Sequence, residues 1–316
     1  MVSICFNRIL ILVSLLSFVW IGKVYGAPYN GFDVTGSLIP VEKIMQGGPP
    51  RDGIPAIDSP VFVSIDSANH LAADSLLLGL EVNGVSKAYP LSILNWHEVV
   101  NDRFNETAVV VTFCPLCGTG VAYRAENKGR DLSFGVSGLL YNSDVLLYDR
   151  QTESLWSQLK NQSVTGPMKG QRLEMLPALL TTWDAWKKIH PDTLVLSTDT
   201  GYRRDYSRDP YFGYDNSPRL FFPVEFLSRA YHPKERVLGL EYKGQFKAYP
   251  FAELSKMGEQ GVLKDNVAGE WLTVEYDASR RSGRVYDSKG SEIAVVNAFW
   301  FAWFTFNPET DVYTSP

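Results

Sequence analysis

Two cysteines in the run Phe113-Cys114-Pro115-Leu116-Cys117-Gly118-Thr119-Gly120 stand three positions apart. That spacing in a tight turn brings both sulfurs to one side, where following backbone N–H groups can donate to them. Gly118 permits the left-handed conformation such a turn needs. The arrangement is half of a zinc or iron knuckle, in which two such turns usually supply four sulfurs. The sequence has no second half, since its only other cysteine is Cys5. His97 is the expected third ligand, because the helix face carrying Leu91 and Leu94 must pack on the sheet that bears the cysteines. Two sulfurs and one nitrogen favour copper or zinc, with iron a further option. Three protein ligands leave a coordination position open, as in catalytic rather than structural zinc. Glu98 or Asp102 could fill it; otherwise substrate enters there, with Glu98 or Asp144 as acid or base.

Two other fates of the cysteine pair stay open. In an exported protein a lone pair commonly forms a disulfide, and a ring this small is strained, which favours redox activity over a structural role. In that case no metal cofactor is implied. The motif lies between strands and does not open a helix, which counts against a thioredoxin-like fold. The functional expectation is therefore an exported metal-dependent enzyme, with an oxidoreductase among the options. The alternatives are a thiol–disulfide redox protein and a non-catalytic metal-binding or ligand-binding protein. His70, His190 and His232 read as loop or helix-end residues, not as ligands.

A second polar constellation follows. Tyr141-Asn142-Ser143-Asp144 precedes Tyr148-Asp149-Arg150 and Glu153-Ser154-Leu155-Trp156-Ser157-Gln158. This density of hydrogen-bonding groups around a tryptophan fits the wall of a small-molecule pocket, with Tyr148, Asp149, Arg150, Glu153, Trp156 and Gln158 as candidate substrate contacts. It equally fits a solvated strand and turn. Phe134-Gly135-Val136-Ser137-Gly138 lacks the lysine of a phosphate loop. Gly-x-Ser-x-Gly and His-Glu-x-x-His motifs are absent, which counts against the commonest serine hydrolases and zinc proteases.

The elements that must position these residues occur twice. Gly79-Leu80-Glu81-Val82-Asn83-Gly84 through Lys87-Ala88-Tyr89-Pro90 recurs as Gly239-Leu240-Glu241-Tyr242-Lys243-Gly244 through Lys247-Ala248-Tyr249-Pro250, at an offset of 160. Gly120 and Tyr123 match Gly283 and Tyr286 at an offset of 163, and Trp183, Trp186 and Thr193 match Trp300, Trp303 and Thr310 at 117. The fall in offset places an insertion in the first copy between Arg124 and Trp183. At these offsets His97, Cys114 and Cys117 correspond to Met257, Asp277 and Arg280, so the framework is kept twice and the chemical set once. Asn83-Gly84 reads as a hairpin turn, residues 91–97 as a short helix ended by Asn101-Asp102, residues 107–113 as a buried strand and residues 181–190 as a helix. The expected fold is α+β: two related β-rich halves from an internal duplication, packed together. Residues 27–50 form an N-terminal segment, 51–198 the first copy with the cysteine site and insertion, 199–213 a linker, and 214–316 a degenerate structural copy.

Residues 1–26 read as a signal peptide. Arg8 precedes the apolar run Ile9–Ile21, and Val24-Tyr25-Gly26-Ala27 offers small residues for cleavage after Gly26. The run is shorter than the roughly 20 residues of a spanning helix. The protein is expected to be periplasmic or secreted, with a membrane contact only if the leader is retained. Removing the leader also removes Cys5, leaving the Cys114/Cys117 pair alone. With 45% apolar and 21% charged residues and a net charge of −5, the chain is globular, not disordered. It lacks the basic patch of a nucleic-acid partner. A metal or a small molecule is the expected ligand.

Leu94-Asn95-Trp96-His97-Glu98 with Asn101-Asp102, the Cys114–Gly118 turn, Phe134–Gly138, Asn142-Ser143-Asp144 and Tyr148-Asp149-Arg150 with Trp156-Ser157-Gln158 together resemble the exported domain-of-unknown-function family 3179. The resemblance covers most of the mature chain and implies export. It supplies no settled activity, so the functional expectation rests on the residues themselves.

Overall fold

A computed structural model describes residues 28–316; the expected signal peptide lies outside the described residues. Among these, no helix is long and apolar enough to cross a membrane. The chain is β-rich with four short α-helices among the described residues.

Asn83 and Gly84, both at positive φ, turn the strand Leu76–Val82 back into Val85–Pro90, the geometry of a type I′ hairpin. On one side of this hairpin lies Ala178–Thr182, antiparallel to Leu76–Val82; on the other lies Leu194–Leu196, parallel to Val85–Pro90. The second half repeats this order and these directions. Val296–Phe299 runs antiparallel to Arg236–Tyr242, which pairs with Gln245–Pro250, which in turn runs parallel to Asp311–Val312. Side-chain partners recur as well. Lys87 Nζ and the Tyr89 hydroxyl donate to Asp102, and Lys247 Nζ and the Tyr249 hydroxyl approach Asp265. Trp186 and Trp303 each donate from Nε1 to a threonine, Thr193 and Thr310.

The halves share a sheet. Val296–Phe299 joins Thr119–Arg124 through the pair Asn297/Gly120, so an 8-stranded sheet runs from Asp311–Val312 across to Val99–Phe104. The segment between Arg124 and Trp183 supplies four strands of a separate 5-stranded sheet, in which Phe134–Tyr141 and Asp144–Asp149 form a hairpin and Ile44–Gln46 from the N-terminal segment adds the edge strand.

Two element boundaries differ from the sequence expectation. The first helix is Leu91–His97 and ends one residue later at Glu98, which takes the left-handed cap (φ 58). Asn101 and Asp102 therefore do not end the helix; they lie in the strand Val99–Phe104. The second helix, Trp183–Ile189, starts behind Thr182, whose side chain caps Ala185 N–H.

Gly79 and Gly239 face the rings of Trp186 and Trp303 so closely that any Cβ would enter the indole. Both tryptophans are buried, so neither ring can swing into solvent. Gly79→Ala and Gly239→Ala should each cost about 3 kcal/mol through overpacking, read as matching drops in urea unfolding midpoint. A near-neutral result at either position would refute the close packing described.

Candidate metal centre

The strand Thr107–Cys114 and the strand Thr119–Arg124 close on the pair Cys114/Thr119, with the cysteine turn between them. Cys117 N–H donates to Cys114 O at 3.2 Å, and Phe299 N–H donates to Cys117 O at 2.8 Å, tying the turn to the second half. Gly118 has φ 60, and a Cβ there would lie 2.9 Å from both Arg236 Nη1 and Phe299. The turn thus needs glycine for its conformation and for its neighbours.

The other side of the site comes from the inserted sheet. Asn142 (φ 51) and Ser143 (φ 66) form a two-residue turn with no glycine, and both are buried. Such left-handed non-glycine residues store backbone strain, which concentrates at functional sites. The turn aims Ser143 O at both thiols: Cys117 Sγ donates at 3.3 Å, while Cys114 Sγ lies at 3.9 Å. It also delivers Asp144, the next residue. Donor atoms of Cys114, Cys117 and Asp144 all lie within 4.8 Å of one another, and all three residues are buried. Asp144 Oδ2 accepts Leu159 N–H at 3.0 Å. Asp144 Oδ1, equally buried, meets no hydrogen-bond donor among the described residues. Both cysteines are free thiols, so the disulfide alternative is not what this structure contains.

Burial dominates the electrostatics. It pushes both thiols up, raises the Asp144 carboxyl to about 7, and together with Asp144 raises the Glu98 carboxyl to about 8. Carboxyls whose folded values exceed the unfolded values near 4 bind protons more tightly in the folded state. Their contribution to stability is full below about pH 4 and is lost as pH rises through 7 and 8. Metal-free protein kept in chelator should therefore show a lower denaturant midpoint at pH 8 than at pH 5. Asp144→Asn with Glu98→Gln should flatten that slope; an unchanged slope would assign it to other groups.

His97, expected as the third ligand, lies outside the cluster formed by Cys114, Cys117 and Asp144. Although fully buried, it has both ring nitrogens engaged elsewhere: Nδ1 with Pro55 O at 2.7 Å and Nε2 with the Tyr206 hydroxyl at 2.6 Å. Asp102 also lies outside the cluster, where it accepts from Lys87 and Tyr89. Glu98 stands beside the cluster as a neighbour of Asp144 and Cys114.

The expected substrate contacts separate. Gln158 backs the site, with Nε2 donating to Thr112 at 3.1 Å and Oε1 buried without a partner among the described residues. Asp149 caps its own turn through Thr152 and accepts Trp156 Nε1–H at 2.8 Å. Tyr148 donates to Asp52, Arg150 pairs with Asp58, and Glu153 pairs with Arg51. These five brace the inserted sheet against residues 51–58 and its own turn.

Sequence reasoning missed the groups that the segment after residue 200 brings over the cysteines. Tyr211, Tyr214, Phe113, Pro115, Arg236 and Phe299 line a cleft of about 280 Å³ beside the cysteine turn. Tyr211 and Tyr214 were expected in or next to a linker, and the one hint was that segment's density of Tyr, Arg and Asp.

Residues 51–310 match a family described as "Protein of unknown function (DUF3179)". The chain belongs to this family. Comparison with curated proteins and with solved structures gave no match. The family assignment thus agrees with the resemblance carried by the sequence motifs and leaves the chemistry to be argued from the site.

Proposed function

We propose that the protein is an exported metalloenzyme that holds zinc at Cys114, Cys117 and Asp144 and admits a small molecule to the metal's remaining position. The observation that carries this reading is the convergence of three buried donors around an unpartnered carboxylate oxygen. A buried polar atom without a partner calls for a missing water or ion, and a divalent cation here would offset two of the three negative charges of a carboxylate and two thiolates. Two thiolates with a carboxylate oxygen suit zinc, which accepts both donor types, better than copper, since Cu(I) favours all-soft sulfur donors and Cu(II) favours imidazole nitrogen. A bound zinc would supply Lewis-acid polarisation or an acidified water. Zinc has no redox chemistry of its own, which weighs against the oxidoreductase option. Glu98, with its carboxyl near 8, is suited to hold or release a proton at neutral pH.

The other readings are less well supported. A carrier that hands metal on needs accessible sulfurs, whereas both cysteines are buried. A thiol–disulfide catalyst needs an acidic, accessible thiol, and burial pushes both thiols the other way. Export rests on the signal-like leader. The recurring strand order and side-chain partners of the two halves support their origin by duplication. At the corresponding turn of the second half, Asp277 and Arg280 form an ion pair with each other, a self-neutralised substitute for a metal knuckle.

Metal analysis of protein purified from its native compartment, beside Cys114→Ser, tests the reading. About one zinc per chain is expected in the wild type and a marked loss in the variant. Wild-type protein with no metal above the variant, and cysteines that titrate as a disulfide, would overturn it.

A further inference from the structure

The cleft beside the cysteine turn carries an uneven set of groups. Arg236 stands half-buried at its base and donates from Nη1 to Gly118 O at 2.5 Å, with its guanidinium 4.4 Å above the Phe299 ring. A guanidinium has five N–H donors, and this backbone carbonyl takes only one of them. The Tyr214 hydroxyl is buried and meets no partner among the described residues. Its ring lines the cleft wall, 6.5 Å between centroids from that of Phe299, and burial pushes its phenol up. Lys234 fixes that position: its Nζ lies 3.3 Å from the Tyr214 ring centroid and donates to the carbonyls of Tyr214, Ser217 and Arg219 at 3.2, 3.2 and 3.1 Å. Phe113 and Leu91 supply apolar wall. The acids of this cleft, Asp209 and Asp215, are exposed at its rim, where solvent screens them.

We infer that this cleft binds a small carboxylate with an aromatic or branched apolar body, its charged end held by Arg236 and the Tyr214 hydroxyl beside the cysteines. Arginine recognises a carboxylate through parallel N–H donors, and an unpartnered buried hydroxyl gains most from an anionic acceptor. The body of the ligand lies against Phe113 and Leu91. Tyr214 acts on the ligand directly, whereas Lys234 is a positioning residue that acts through Tyr214. The inference rests on the metal reading for the cleft's being a substrate entrance, and on the cleft's own residues for its ligand.

The probe is benzoate, with benzyl alcohol as its neutral counterpart, titrated into full-length protein by ligand-observed NMR. The metal content of the same sample is measured alongside. Benzoate should bind at least about tenfold more tightly than benzyl alcohol, and Tyr214→Phe and Arg236→Lys should each weaken benzoate about tenfold with the zinc content unchanged. Equal binding of the two probes, no benzoate binding, or variants that bind benzoate as the wild type does would overturn the inference. The probe comparison is made on wild-type protein, so it stands even if a variant fails to fold. Zinc bound with no benzoate preference sinks the carboxylate inference alone; benzoate preference without zinc sinks the metal reading alone.

Discussion

Asp144→Asn should abolish tight zinc binding while leaving the fold intact. The substitution keeps the shape and an oxygen able to accept Leu159 N–H, but it removes the negative charge from a three-donor set. Losing an outer-shell partner already costs 10- to 100-fold in metal affinity, so losing a ligand should cost more than ~100-fold. The metal-free protein should respond in the opposite direction. Asparagine avoids burying a carboxylate whose charged form is disfavoured by desolvation, so stability in chelator at pH 8 should hold or rise. His97→Gln is the decisive companion. If His97 were a ligand, its loss would match that of Asp144. With its nitrogens committed to Pro55 O and Tyr206, it should instead lower stability by about 1–3 kcal/mol and leave zinc affinity within a few-fold. Equilibrium dialysis with a competing chelator, beside urea unfolding of the same variants, reads both quantities. Comparable loss of affinity in both variants would restore His97 as a ligand, and unchanged affinity in Asp144→Asn would remove Asp144 from its role.

This contrast shows where sequence reasoning reaches and where it stops. The hairpin at Asn83-Gly84, the strand Thr107–Cys114 and the two tryptophan helices follow from local patterns, and the structure contains all of them. Cys114 and Cys117 were legible because their spacing alone puts them in one turn. The third member, Asp144, was expected in the site as an acid or base and not among the metal donors, because its approach to the sulfurs is non-local. Asp144 reaches the sulfurs only because Asn142 and Ser143 adopt left-handed conformations that a glycine would have announced and these residues do not. His97 fell on the expected helix face, but its partner Tyr206 is 109 residues away, in a segment with no regular structure to flag it. Tyr214 and Arg236 were illegible for the same reason, since their significance arises only where the second half crosses the turn of the first.

The lysine–aspartate pair of each half gives the second large effect, and its size should differ between the halves. Asp102 accepts from Lys87 Nζ at 2.9 and 2.8 Å and from the Tyr89 hydroxyl at 2.5 Å. Lys87 is buried, with its ammonium 4.3 Å from the Phe62 ring centroid and 4.6 Å from that of Phe104. Asp102→Ala would leave that cation among aromatic rings, with the carbonyl of Arg103 as its remaining acceptor. Breaking one partner of a buried pair typically costs 3–5 kcal/mol, and a loss of about 4 kcal/mol is expected here. The equivalent Asp265→Ala should cost about 1 kcal/mol, in the range of exposed pairs. Lys247 lies 3.2 Å from Asp265 but also 2.6 Å from the largely exposed Asp311, which would go on neutralising it. Replacing both members of the first pair, with Lys87→Met and Asp102→Leu, should recover much of the loss, because no uncompensated charge remains. Urea unfolding of the single and double variants measures this directly. Equal costs in the two halves, or no recovery in the double variant, would mean that burial of the Lys87 charge is not what sets the energy of this contact.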